Sequence, residues 1–220
     1  AQLHSEQALM AAHGVSRITV RQAIAVLLRA GKLVTQRGKG NFVAGARVLH
    51  ELDALQGFQD ALRQQGLEPQ TTLVDWTPEG GLLDADLPPG LDLPVRLRRL
   101  YSIDGKPFAV VTGWLPAAAA AVGRDRAAHL NVYEILSRFM GVRVGHADVS
   151  IRCERAPRDI AQLLGLPRSA MVLLMQRQSQ DGRGHVCEFM RIHIVPERYE
   201  FRLRMHGEVE LARAVHQTAL

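Results

Sequence analysis

Residues 15–43, VSRITVRQAIAVLLRAGKLVTQRGKGNFV, constrain the fold of this chain more than any other stretch. Within it Ile18, Ala23, Ile24, Leu27 and Leu28 recur at spacings of three and four, which predicts one buried stripe along a helix. Arg17, Thr19, Arg21, Gln22 and Arg29 fall away from that stripe, so one face packs and another meets a partner. Ser16 is a good N-cap ahead of the run, and Gly31 a good left-handed C-cap behind it. Just upstream, residues 5–13 (SEQALMAAH) read as a shorter helix, capped by Ser5 and closed by Gly14. The order is helix, tight glycine turn, helix. Residues 32–36 and 41–44 then read as two short strands. The Arg37-Gly38-Lys39-Gly40 turn between them sets two cations on a glycine-rich tip, which suits a narrow groove lined by phosphates.

Charge is distributed to match. The net charge is +5, yet residues 1–47 carry seven Lys or Arg against one acid, Glu6, and so hold +6; the other 173 residues hold −1. Counterion release needs clustered cations, which confines a nucleic-acid footprint to the N-terminal module. At 220 residues there is room for that module and one further domain. Cys153 and Cys187 are far apart and form no paired motif, which suits free thiols in a reducing cytoplasm. No apolar run reaches membrane-spanning length, and the alanines at 117–121 are too few and too weakly apolar.

Beyond a short tether at 45–51, residues 57–65 read as a helix ended by Gly66, 71–77 as a strand, and 79–94 as loop. Two hairpins share one plan. Residues 95–103 and 108–115 flank Asp104-Gly105, and residues 171–180 and 186–195 flank Asp181-Gly182; Asp-Gly supplies two positive-φ positions. Between the hairpins lie a helix at 132–139, a strand at 144–153 and a helix at 157–164 with proline in its first turn. The fold class is α+β, with an antiparallel sheet carrying helices on one side. The boundaries are a DNA-binding domain at 1–44, a linker at 45–51 and a second domain at 52–220.

The pattern GVSRITVRQAI…L…G.L…QRGKGNFV resembles the winged helix-turn-helix of the GntR family of bacterial transcription regulators, almost without gaps over residues 3–44. The resemblance implies that Ser5 and Gln7, and Ser16, Arg17, Thr19 and Arg21 at the start of the recognition helix, touch DNA. Arg37, Gly38 and Lys39 of the wing are implied at the adjacent minor groove. Arginine grips guanine or phosphate bidentately, and a wing glycine lets backbone approach closely. The family has proline where His4 stands and arginine where Gln7 stands, so Gln7 shifts half-site preference or weakens binding. It also has a helix and a short strand ahead of Leu3, so either the sequence is truncated, which is the favoured expectation, or the first helix is absent and the DNA-binding domain is poorly held together.

Residues 50–205 are similar to the ligand-binding domain of the HutC-type branch of that family, the UTRA domain, whose fold resembles chorismate lyase. In that branch an anionic part of the effector sits on the N-terminus of the helix after the linker, here Gln56, Gly57 and Phe58. An R-x-R on the first hairpin strand matches Arg99, with Tyr101 replacing the second arginine. Tyr133 matches a helical tyrosine and Glu188 an acid of the second hairpin. Val111 and Asn131 stand where sugar-phosphate binders carry an acid and a serine, which points away from a phosphorylated amino sugar. The expected effector is a small anion (carboxylate, phosphate or phosphonate) with a polar body, held by Arg99 and the helix end and bonded by Tyr101, Asn131, Tyr133 and Glu188.

A homodimeric transcription regulator, acting as a repressor on a pseudo-palindromic double-stranded operator, is therefore expected. The alternative is a lyase-like enzyme using Arg99 and Glu188 for acid/base work beside a vestigial DNA module; a fold alone does not carry function. No nucleophile elbow or phosphate loop is present. His185, Cys187 and His193 fall on alternate positions of one strand, a spacing that arises by chance, so no metal and no cofactor is expected.

Overall fold

A computed structural model describes residues 2–29, 32–36, 40–43, 48–52, 57–79 and 86–204. In its N-terminal part, α1 (Glu6–His13) begins where the Ser5 hydroxyl accepts a hydrogen bond from the Ala8 amide at 3.2 Å, and it ends at Gly14 with φ 63°. The Ser16 hydroxyl caps α2 (Arg17–Arg29) in the same way, accepting from the Thr19 amide at 3.2 Å. Strands β1 (Leu33–Gln36) and β2 (Gly40–Val43) pair antiparallel, and the Leu3 amide donates to the Asn41 carbonyl alongside them. Gly31, the tip residues Arg37, Gly38 and Lys39, and residues 44–47 lie outside the described residues.

The buried stripe of α2 differs from the expected one. Val20 and Ile24 pack with Leu33, with Leu28 beside them, while Ile18 is 70 % exposed and Ala23 and Leu27 also face outward. Val20, Ile24 and Leu28 repeat every four residues and stay on one side. Ile18 lies about 200° round the helix from Val20.

The second unit is built on a six-stranded antiparallel sheet, in the order β4 (Gln70–Thr77), β5 (Val95–Ile103), β6 (Lys106–Leu115), β9 (Val186–Ile194), β8 (Met171–Asp181) and β7 (Val144–Arg155). The first hairpin turns as expected, with Asp104 at φ 52° and Gly105 at φ 69°. The second turn is longer. Its positive φ falls at Gly184, and the Asp181 carboxylate accepts from the Arg183 and His185 amides at 2.8 and 2.9 Å, so an aspartate side chain shapes the loop that two backbone positions were expected to shape.

The central strand β6 is buried on both faces, which places cover on both sides of the sheet rather than one. Ala109, Val111 and Leu115 meet α3 (Phe58–Arg63), α4 (Gly123–His129) and α5 (Val132–Glu134, running on into a π-type turn at Ile135–Phe139). On the other face Val110 meets α6 (Arg158–Leu163), and Trp114 meets Leu87 and Leu93 of the expected loop.

Four residues of the expected tether are a strand. β3 (Val48–Glu51) runs parallel to β10 (Tyr199–Arg202) and so is part of the second unit. The hydrogen bonds that absorb it come from a segment about 150 residues away, which local sequence does not reveal.

Candidate functional site

Six residues expected at DNA, Ser5, Gln7, Ser16, Arg17, Thr19 and Arg21, are all exposed. The two serine hydroxyls are occupied as helix caps. Glu6 reaches Arg21 at 3.1 Å and Arg17 at 3.9 Å, gathering both guanidinium groups at the start of α2. Exposed ion pairs of this kind contribute little and exchange readily for phosphate or guanine.

In the second unit a narrow, nearly filled cleft of about 10 Å³ lies between α3, α5 and the sheet, so a ligand enters it only as its lining side chains move apart. Gly57, Phe58, Arg99, Tyr101, Asn131 and Tyr133 line it, so the fold brings together six of the eight residues expected to hold an effector. Gln56 lies outside the described residues.

Arg99 is 2 % exposed, which removes it from the surface strand where Arg96 and Arg98 stay partly open. One of its terminal nitrogens donates to the Ala127 and Leu130 carbonyls, each at 2.5 Å, and its Nε has no hydrogen-bond partner. A buried guanidinium held by neutral carbonyls alone lacks a counter-anion, which is costly unless a ligand supplies one.

Glu188 is corrected as an effector contact. It is fully buried and does not line the cleft; one of its oxygens accepts from Arg177 at 2.6 Å. Arg177, which was not expected at the site, does line the cleft, 4 % exposed, with its guanidinium 4.8 Å from the centre of the Tyr133 ring. Burial works against its charge, but Glu188 and Tyr133 more than offset this, and its pKa rises. Alternation along β8 was the available signal: Arg177 stands two residues from the core residue Met175, on the same face.

Two buried polar atoms of the lining residues, Arg99 Nε and Tyr133 Oη, have no hydrogen-bond partner, and neither do Ser179 Oγ and Glu188 Oε2 behind the lining. Buried polar atoms are nearly always bonded, so orphans gathered in one place mark a site built to receive polar groups. Burial raises the Tyr133 pKa, which keeps its hydroxyl protonated and able to donate.

Two expectations are modified by Asp60. The N-terminus of α3 was expected to receive the effector's anion, yet the Asp60 carboxylate already lies against it, and a Cβ added at Gly57 would meet an Asp60 oxygen at 2.7 Å. Asn131 is also largely committed. Its side-chain carbonyl accepts from the Glu134 amide at 2.8 Å, closing a capping box on α5, and its amide points at Asp60 from 3.3 Å.

An aromatic chain leads from the cleft to β3. Phe58 meets Tyr101 edge-on at 5.1 Å and stacks on Tyr199 at 5.7 Å, and the Tyr199 hydroxyl lies 2.6 Å from Nδ1 of His50 on β3. Burial, helped by Arg177, lowers the His50 pKa to about 4, so its ring is neutral and the hydrogen bond to Tyr199 joins two uncharged groups. His185, Cys187 and His193 do not converge: Cys187 packs in the core under α3 and α5, while His193 faces Glu154 at 3.4 Å on the other side of the sheet.

Residues 64–200 match the UTRA domain, and residues 1–43 match the gntR family of bacterial regulatory proteins. The chain is 32 % identical over 210 residues to the HTH-type transcriptional regulator Rv0792c of Mycobacterium tuberculosis, covering 92 % of this chain and 77 % of that one. It is 26 % identical to the transcriptional repressor NagR of Bacillus subtilis, over 90 % of this chain and 83 % of that one. The crystal structure of PhnF from Mycobacterium smegmatis superposes with a TM-score of 0.66 at 26 % identity, covering 94 % and 92 % of the two chains. A capped recognition helix with a wing, joined to a sheet whose cleft gathers unpartnered polar groups, is thus accounted for: the chain belongs to the GntR family of DNA-binding transcription regulators and carries a UTRA effector-binding domain.

Proposed function

We propose that this protein represses transcription in the cytoplasm as a two-fold dimer, and that a small carboxylate, phosphate or phosphonate in the UTRA cleft sets its operator affinity. The observation that carries the reading is Arg99, a buried guanidinium without a carboxylate partner at the wall of a cleft. The effector's anion sits between Arg99 and Arg177, since Asp60 already fills the end of α3; the Tyr133 and Ser179 hydroxyls bond its polar body. Ser16, Arg17, Thr19 and Arg21 read the operator, with Arg37, Gly38 and Lys39 at the neighbouring minor groove.

Coupling runs through packing. A ligand that displaces Phe58 or Tyr101 disturbs Tyr199, and with it the seam of β3 and β10 from which the DNA-binding part is suspended. Operator DNA must then alter effector affinity by the same factor as effector alters operator affinity.

The test is a thermal-shift screen of the chain against small carboxylates, phosphates and phosphonates, repeated on Arg99→Met. A saturable rise in Tm that the variant loses, together with the same compound shifting operator binding, supports the reading. A rise of equal size in both proteins removes Arg99 from the site.

A further inference from the structure

Along the solvent side of α4 and of the π-type turn after α5 runs a groove of about 480 Å³. Asp125, Arg126 and His129 line it from α4, Arg138 and Phe139 from the π-type turn, and Leu130 from the junction between them. It shares no lining residue with the effector cleft and, unlike that cleft, has room for a ligand as it stands. Local sequence makes the groove. Ala127, Ile135 and Leu136 turn inward and are fully buried, which leaves Arg126, His129, Arg138 and Phe139 outside. α4 stops at Leu130, which is extended (φ −78°, ψ 138°), and Asn131 caps α5 as a fresh start, so the two helical segments stand apart.

Two features distinguish this groove from an ordinary gap between helices. The turn Ile135–Phe139 is of the π type, which is rare in proteins and frequent at functional positions, and it ends on the two residues that it gives to the groove. The Arg126 guanidinium, moreover, lies 5.6 Å from the centre of the Phe139 ring, and among the described residues it makes no ion pair. A guanidinium laid on a ring keeps its N–H groups in its own plane, free to take a carboxylate in a fork. Phe139 is 38 % exposed, so part of its ring is left for a second ring. Arg138 is tied to Glu134 at 3.2 Å, but its side chain is 66 % exposed, and such a pair exchanges readily.

We propose that this groove is a second ligand site, separate from the effector cleft, and that it takes an aromatic monocarboxylate. The carboxylate sits between Arg126 and Arg138, and the ring lies on Phe139 and Leu130. Two guanidinium groups against the single carboxylate of Asp125 leave one positive charge in excess in the lining, which matches a monoanion. A phosphate dianion would set a further negative charge near Asp125 with no further cation to answer it. The volume falls within the roughly 300–1,000 Å³ of small-molecule sites and accommodates an acid of two fused rings.

The test is a calorimetric titration of the full 220-residue chain with naphthoate, alongside naphthylmethanol, which lacks the charge, and cyclohexanecarboxylate, which lacks the aromatic ring. Naphthoate is expected to bind saturably with one molecule per chain, and both controls more weakly. Arg126→Gln and Arg138→Gln are each expected to weaken naphthoate about tenfold, the effect of losing one hydrogen-bonded charge contact. Phe139→Leu is expected to weaken naphthoate several-fold and to leave cyclohexanecarboxylate unchanged. Arg126, Arg138 and Phe139 are exposed, so these substitutions leave the fold intact. Arg99→Met, in the cleft, is expected to leave naphthoate binding as it is. No saturable binding at millimolar naphthoate overturns the site and leaves the effector reading standing. Naphthoate binding that is lost in Arg99→Met and kept in the three groove variants overturns the groove and assigns the acid to the cleft. Naphthylmethanol binding as tightly as naphthoate overturns the ionic contact, and with it the class of ligand.

Discussion

Acid should loosen the joint between the two parts of this protein through one side chain, His50. The ring is buried on β3, with Phe58, Tyr199 and Phe201 at centroid distances of 6.3, 6.0 and 5.7 Å. Its pKa falls from 6.5 to about 4, chiefly because burial penalises the charged form. The folded pKa lies below the unfolded one, so the unfolded chain binds the extra proton between these values. The stabilisation is complete above pH 6.5 and is lost as the pH falls towards 4. At about 1.36 kcal/mol for each unit of pH, the interval corresponds to about 3 kcal/mol, a sizeable part of the stability of a domain of this size. Urea unfolding followed by circular dichroism between pH 7 and 4 measures it. His193 titrates in the same direction, so wild type is compared with the double variant His50→Phe, Tyr199→Phe, which fills the same space without leaving an orphaned hydroxyl. The variant should lose about 3 kcal/mol less over that range, and the protection factors of the amides at residues 48–51 should fall with acid in wild type alone. Parallel loss of stability in the two proteins would refute the assignment.

Other substitutions separate the two parts. Arg21→Ala should weaken operator binding by about 1–3 kcal/mol and leave effector affinity in the absence of DNA unchanged, as gel shift and calorimetry can check; equal losses in both would contradict the division of labour. Glu188→Gln leaves the buried Arg177 charge without its partner and should cost about 3–5 kcal/mol in urea unfolding; a cost below 1 kcal/mol would mean that the pair is not buried in solution. Asp60→Asn removes a carboxylate beside Gly57 and Asn131, which line the cleft, and should tighten an anionic effector several-fold, whereas weaker binding would show that Asp60 contacts a cationic group of the ligand.

Local rules were enough to locate most elements. Ser5 with Gly14 and Ser16 ahead of α2 bounded the helices, because caps satisfy backbone groups within a few residues. Asp104-Gly105 marked a hairpin for the same reason. The family resemblance led to Arg99, and the cleft formed around it with Gly57, Phe58, Tyr101, Asn131 and Tyr133. The sequence could not show which side of α2 lies buried, because Ile18 and Val20 are equally apolar and only the position of Leu33 chooses between them.

Tertiary structure alone decided the rest, since the partners are far apart along the chain. The Arg177 and Glu188 pair turned an expected ligand contact into a support and brought a second cation to the cleft. Asp60 folds back on Gly57 and closes a helix end that composition left open. β3 becomes a strand only because β10 arrives beside it from the other end of the domain. No window of local sequence contains that pairing, on which the proposed coupling from the cleft to the DNA-binding part rests.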